Sequence, residues 1–324
     1  MRLSTLLALL VPALVNLATG ASLPGPVYKL SKKYDASNFL SSFDFQNSPD
    51  IWTDGFANYI SQADPQHAQL AQVVDGKIYL GVDSTTVLDA NHSPGRKSIR
   101  AESKDEFSSG LLVADFAHIP GNVCGIWPAF WLLYDSATYS EFDIIESVSL
   151  SPANEVSLYT SKNPCTLTAH PSTGHVRHTQ CSTTAALSGC GVNAPAGTFG
   201  DAVNHKGGGV WATLIEDDGI KVWYFERGHV PLDLQREVPE PRGWGTPILD
   251  FGKGSCDVKA AWQKMKIILN ITFCGAYAGD GWSTFSKCQA KTGYQTCNEY
   301  VAKEPKAYRE AYFLVNSIKT FDRR

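Results

Sequence analysis

The 324-residue chain is 43% hydrophobic and 11% aromatic, enough apolar material for a core, and 28 basic against 32 acidic residues leave a net charge of −4. The absence of a basic block argues against nucleic acid as a partner. Beyond the first residues no segment approaches the roughly 20 apolar residues that a membrane helix needs, so no membrane partner is expected.

Met1-Arg2-Leu3 and the apolar run through Ala18 have the basic start, apolar middle and small-residue end of a secretory leader. Residues 1–20 are read as that leader and 21–324 as one domain, secreted to the extracellular space or cell wall and expected to be monomeric. The charged end, Lys319 to Arg324, lacks the apolar tail that directs a lipid anchor. From Tyr28 onward short strands alternate with turns. Strands are expected over residues 39–45, 55–60, 77–82, 97–103 and 110–116, with Asp75-Gly76 marking a turn. An aromatic block, Gly125 to Leu133, leads into the acidic run Ser140 to Ser147, and residues 155–160 alternate again. Residues 161–209 are polar and too long to be structureless in a compact domain, so their three cysteines are expected to pin them. Asp217-Asp218-Gly219 between two apolar runs predicts a hairpin. Residues 264–273 read as a strand buried on both faces, 303–310 as a short helix and 312–318 as a last strand. Many short strands with almost no helical periodicity predict an all-β sandwich of two sheets.

Eight cysteines in an exported chain predict disulfides, and the lack of a Cys-x2-Cys pair argues against zinc. Their connectivity stays open. Asn91-His92-Ser93 and Asn270-Ile271-Thr272 are N-glycosylation sequons, the second in a strand-like run. His170, His175 and His178 have no interleaved carboxylate and read as loop histidines. No metal or cofactor is called for, although a structural calcium ion is left open.

The acidic run carries the chemistry. In a strand, Glu141 and Asp143 share one face while Phe142 and Ile144 take the other. Glu146 lies at odd spacing from Glu141, so strict alternation would bury its carboxylate in the apolar layer at a cost of several kcal/mol. One extra residue near Ile144-Ile145, a β-bulge, would return it to the face of the other acids. Such carboxylates raise one another's pKa, and a pair of them can cleave a glycosidic bond. Glu141 and Glu146 would have Cα atoms ~13 Å apart on a bulged strand, a gap only long, converging side chains could close. Trp127 and Trp131 just upstream offer flat rings to sugar faces.

The run resembles the Glu-x-Asp-x-x-Glu signature of the laminarinase-like branch of glycoside hydrolase family sixteen. Trp127-Pro128-Ala129-Phe130-Trp131, Gly95 to Arg100, Gly207 to Trp211, Lys221 to Phe225, Trp244 to Pro247 and Asn270 to Gly275 are similar to segments of secreted fungal endo-β-1,3(4)-glucanases. The resemblance implies a β-jelly-roll sandwich whose concave cleft holds a β-glucan, with retaining endo-hydrolysis of β-1,3 or mixed β-1,3/1,4 linkages. It assigns Glu141 as nucleophile, Glu146 as acid/base and Asp143 as the acid that tunes them. Arg100 and Asn58 would hydrogen-bond sugar on the minus side, and Trp127 and Trp131 would line the cleft. Tyr159 stands where relatives often carry His, and Tyr277-Ala278-Gly279 where they carry Trp-Ala-Gly. Ser140 and Ser147 replace glycines, and Phe142 replaces an aliphatic residue. A glucan transglycosidase and a non-catalytic, lectin-like glucan binder are the alternative readings on the same fold.

Overall fold

The structure, a computed structural model, describes residues 28–183 and 189–324; the expected leader lies outside them. Two large antiparallel sheets of nine and eight strands pack face to face, and a small three-stranded sheet flanks them. The core between them is aromatic at its centre: the Phe116 ring from one sheet meets Phe130 of the other at 5.4 Å, with Trp211 and Phe313 at 5.8 and 5.7 Å. Among the described residues no helix is long and apolar enough to cross a membrane.

The hairpin around Asp217-Asp218 is present, joining Gly209–Glu216 to Gly219–Glu226. Four expectations shift. The strand expected at 97–103 divides at Ile99 into Arg96–Ser98 in the small sheet and Arg100–Phe107 in the eight-stranded one. Residues 39–45 begin with a helical turn, Phe39–Ser42, before the strand Phe43–Phe45. The helix expected at 303–310 lies earlier, at Cys297–Lys303, where Thr296 and Glu299 form a capping box; Pro305–Tyr308 is a 3-10 turn. The final strand runs further than expected, from Phe313 to Arg323.

Four disulfides link Cys124 to Cys288, Cys165 to Cys256, Cys181 to Cys190 and Cys274 to Cys297. Two of them fasten the 275–303 segment to strand ends of the eight-stranded sheet, since Cys124 precedes the strand Ile126–Asp135 and Cys274 follows Met265–Phe273. The other two hold the long polar stretch, whose chain returns as the short strand His175–His178 at that sheet's edge.

The acidic strand, Tyr139–Glu146, lies between Ile126–Asp135 and Ala153–Thr160. Its register slips where the spacing of the acids requires. Trp131 faces Asp143 but Phe130 faces Ile145, and on the other side Asp143 faces Ser157 while Glu146 faces Glu155. Ile144 and Ile145 are both buried in the core, so the bulge takes up the odd residue with apolar side chains and leaves Glu146 on the acidic face. Asn154 holds the bulge together. Its Nδ2 donates to the Ile144 carbonyl at 2.8 Å, and its Oδ1 accepts from the Glu146 backbone N–H at 2.9 Å.

These two bonds replace ladder bonds that a bulge forfeits, inside a fully buried site. Asn154→Ala would orphan both backbone groups at ~1–3 kcal/mol each. Chemical denaturation of this variant should show a stability loss of about 2–6 kcal/mol at unchanged m-value.

Candidate active site

The cleft lies on the face of the eight-stranded sheet turned away from the core. On the strand Ile126–Asp135, Ile126, Phe130 and Leu132 fill the core, while Trp127, Ala129, Trp131, Leu133 and Asp135 line the cleft, as period-two alternation requires. Beside them stand Glu141, Asp143 and Glu146, and the pocket encloses about 280 Å³. In a larger hollow of about 510 Å³ on the nine-stranded sheet, Asp250 is paired with Lys221, Glu216 with Arg323 and Glu240 with Arg242, which leaves no comparable cluster of acids.

All three cleft carboxyls hold protons more tightly than usual. Burial is the main cause for Glu141, followed by the charge of Glu146, and together they push it up to about 8. Burial likewise lifts Glu146 to about 7, against the pull of a hydrogen bond from Trp127 Nε1 to its Oε1 at 2.7 Å. Asp143, only 3% exposed, is raised further by burial and then by the charges of Glu141 and Glu146. Its Oδ2 is buried without a donor. Asp143 and Glu141 lie within hydrogen-bonding reach of each other, an arrangement of two carboxyls that needs a proton on one of them. The Tyr139 hydroxyl also donates to Glu141 Oε2.

One flank of the cleft is an aromatic and amide lattice. The Arg100 guanidinium sits between two indoles, 4.2 Å from the Trp52 ring centre and 5.0 Å from that of Trp131, while its Nε donates to Glu102 at 2.8 Å. Trp131 Nε1 donates to Asn270 Oδ1 at 2.8 Å, and Asn270 Nδ2 donates to the Tyr59 hydroxyl at 3.2 Å. Buried Asp50 ends the network, accepting from the Thr53 and Thr272 hydroxyls at 2.5 Å each.

The structure brings together Glu141, Asp143, Glu146, Trp127, Trp131 and Arg100, and it separates others. Asn58 does not line the cleft; its neighbour Tyr59 does, because successive residues of the strand Ala57–Tyr59 face opposite ways. Asn270, the second sequon asparagine, is 8% exposed with both amide atoms engaged inside the cleft lattice, a setting that leaves little room for a glycan. Asn91 lies on an exposed turn. Tyr159 sits directly across from Glu141 on the neighbouring strand. Tyr277 packs edge-on against Trp127 with ring centres 5.4 Å apart and donates to Glu155 at 2.7 Å. Trp52, Tyr59, Asp50, Tyr139 and Asn154 escaped the sequence reading. Among the described residues no group of three or more His, Cys, Asp or Glu could hold a metal ion.

Residues 43–321 match the family model described as the XgeA-like catalytic GH16 domain. The chain is 37% identical over 298 residues to an endo-1,3(4)-beta-glucanase of Emericella nidulans, covering 91% of this chain and 47% of that protein. It is 34% identical to a probable glycosidase of Schizosaccharomyces pombe, covering 91% of this chain and 69% of that protein. It spans about half the length of most curated relatives it matches, such as 48% of a probable endo-1,3(4)-beta-glucanase of Neosartorya fischeri. Among solved structures, an elongating GH family 16 beta-1,3-glucosyltransferase superposes with a TM-score of 0.83 at 35% identity, covering 91% of this chain and all of that one. Laminarinase 16A from Phanerochaete chrysosporium, holding 6-O-glucosyl-laminaritriose in both donor and acceptor sites, gives 0.83 at 33% identity over the same shares. The chain belongs to glycoside hydrolase family 16, and its two-sheet sandwich is the family's jelly roll.

The raised carboxyl of Glu141 makes the site a measurable burden on stability. Folded, Glu141 keeps its proton to about pH 8; unfolded, it releases it near its ordinary 4.5. Between those values the unfolded state holds fewer protons, so this residue's contribution to stability falls as pH rises. Glu141→Gln does not titrate, so thermal unfolding should show an advantage over the wild type that is near zero at pH 4, grows through that window and levels off above pH 8.

Proposed function

We propose that the protein is a retaining endo-hydrolase of β-1,3- or mixed β-1,3/1,4-glucans, and the observation that carries this is the bulge that sets Glu146 beside Glu141 in one tryptophan-lined cleft. Glu141 attacks the anomeric carbon as the glycosidic bond breaks. Glu146 gives its proton to the departing oxygen, and a covalent glycosyl-enzyme remains. Water then attacks that carbon, losing its proton to Glu146 and releasing Glu141. Raised to about 7, Glu146 is protonated in mildly acidic surroundings, as a general acid must be. Glu141 must be ionised to attack. With its carboxyl raised to about 8 the ionised form is the minor one in mildly acidic surroundings, and a proton held by Asp143 and the donor from Tyr139 both favour it.

On the minus side Arg100, held between Trp52 and Trp131, would donate to sugar hydroxyls while the indoles stack on sugar faces. Tyr159 and Tyr277 would flank the departing sugar. Four disulfides suit an oxidising, extracellular setting, and the partner there would be the glucan alone. A second reading, transfer of the glycosyl group to another glucan chain instead of water, draws on the 35% identity to the elongating glucosyltransferase. It uses the same residues and differs in the acceptor.

Incubation with laminarin, lichenan, cellulose and a galactan, with products sized by mass spectrometry, separates these readings. Laminarin or lichenan should yield short oligosaccharides whose first-formed reducing ends are β by proton NMR, and Glu141→Gln should lower the rate at least 1,000-fold while still binding substrate. Products longer than the substrate would favour transfer. Inverted products, or wild-type turnover by Glu141→Gln, would reject the mechanism.

A further inference from the structure

Glu146 faces a second acid that the reaction does not use. Directly across from it on the strand Ala153–Thr160 stands Glu155. Like charges at facing positions repel, and Glu155 does press the Glu146 carboxyl toward its protonated form. The opposing cation comes from two strands away. Arg177 lies in a second register slip, between Val176 and His178, on the short edge strand. Its side chain crosses the intervening strand, where Gly191 leaves room: a Cβ there would lie 3.0 Å from Arg177 Nη2 and 2.0 Å from the Val156 carbonyl oxygen. Nη1 reaches Glu155 Oε2 at 3.2 Å, and Nη2 donates to Ser157 Oγ at 2.6 Å.

The other Glu155 oxygen accepts from Tyr277 at 2.7 Å. Tyr277 in turn packs against Trp127, whose indole N–H holds Glu146. Arg177, Glu155, Tyr277 and Trp127 thus form one chain ending on the Glu146 carboxyl. We propose that Arg177 is a positioning residue for the acid/base: by anchoring Glu155 it fixes Tyr277 and Trp127 around Glu146 and balances the charge that Glu155 sets against it.

The inference rests on Glu146 being the acid/base. The charged and titratable groups around that carboxyl are Glu141 and Asp143 on its own strand, Glu155 and Tyr159 across from it, Arg177 at the edge and Tyr277 above Trp127. Removing the cation should raise the Glu146 midpoint, and removing Glu155's charge should lower it.

Two readouts test this on the intact protein. Carboxyl carbon-13 NMR titration of glutamate-labelled protein, assigned with Glu146→Gln, follows Glu146 whether or not the protein turns over. Arg177→Met should move its midpoint up by about a unit and Glu155→Gln down by a similar amount, with Arg177→Met/Glu155→Gln between them. In parallel, the alkaline limb of kcat/KM on laminarin should move the same way, and Arg177→Met should lower kcat on the order of tenfold. Arg177→Lys, keeping charge without the fork, should hold the limb while losing rate. Unmoved midpoints in both single variants, or shifts of the same sign, would overturn the proposal even if activity fell. Should Arg177→Met not fold, Glu155→Gln and Arg177→Lys decide the question. Wild-type protein inert toward every glucan would reject the functional reading alone, because the titration would still judge the link from Arg177 to Glu146.

Discussion

Burial of three carboxyls in one cleft is the constraint around which the site is built. Glu141, Asp143 and Glu146 are each driven toward protonation by burial before any neighbour is considered. A buried negative charge needs a donor or a cation, and the surrounding groups supply them one at a time. Trp127 donates to Glu146, Tyr139 to Glu141, and the orphaned oxygen of Asp143 finds its partner only when a proton is shared. The same confinement that weakens the fold makes a carboxyl available as an acid in mildly acidic to neutral water.

The parts of the site legible in the sequence are those encoded within one strand. The family resemblance put Trp127 and Trp131 in the cleft, where alternation sets them on one face, and the odd spacing of Glu146 called for the bulge now seen at Ile144-Ile145. What escaped depends on pairing between distant segments. Asp50, Trp52 and Tyr59 reach the cleft through the small flanking sheet, where Ala57–Tyr59 pairs in parallel with Arg96–Ser98, and no local pattern announces a parallel register. That pairing also turned Tyr59 toward the cleft and Asn58 away from it. The helix at Cys297–Lys303 did have a local signal, the Thr296 to Glu299 capping spacing, but charge and alanine content drew attention a turn too late. Asn154 had none, because its role exists only opposite a bulge.

The disulfides acquire meaning from this geometry. Cys124–Cys288 and Cys274–Cys297 tether the segment carrying Tyr277, while Cys165–Cys256 and Cys181–Cys190 tether the stretch carrying Arg177. All four secure groups that converge on Glu146 from outside its own strand. The Glu141 side relies instead on hydrogen-bonded lattices within the sheet and its flanking loops. One half of the site is covalently braced from loops, and the other is woven into the sheet.

The bulge also sets a rule of arithmetic for the chain. Before Ile144 the cleft-facing positions of this strand are odd-numbered; at Glu146 they become even. The strand therefore changes parity once, between its two outer acids. Loss of one residue at Ile144-Ile145 would restore regular alternation and leave Glu146 at an odd position, still facing the cleft and still opposite Ala129. The five steps from Glu141 to Glu146 face only four on the partner strand, from Leu133 to Ala129, so a single deletion would keep every carboxylate, both faces of the sheet and the span of about 13 Å between the acids. The odd residue is better understood as a bend: it redirects the strand, and with it the approach of Glu146, without lengthening the reach between the acids or exchanging inside for outside.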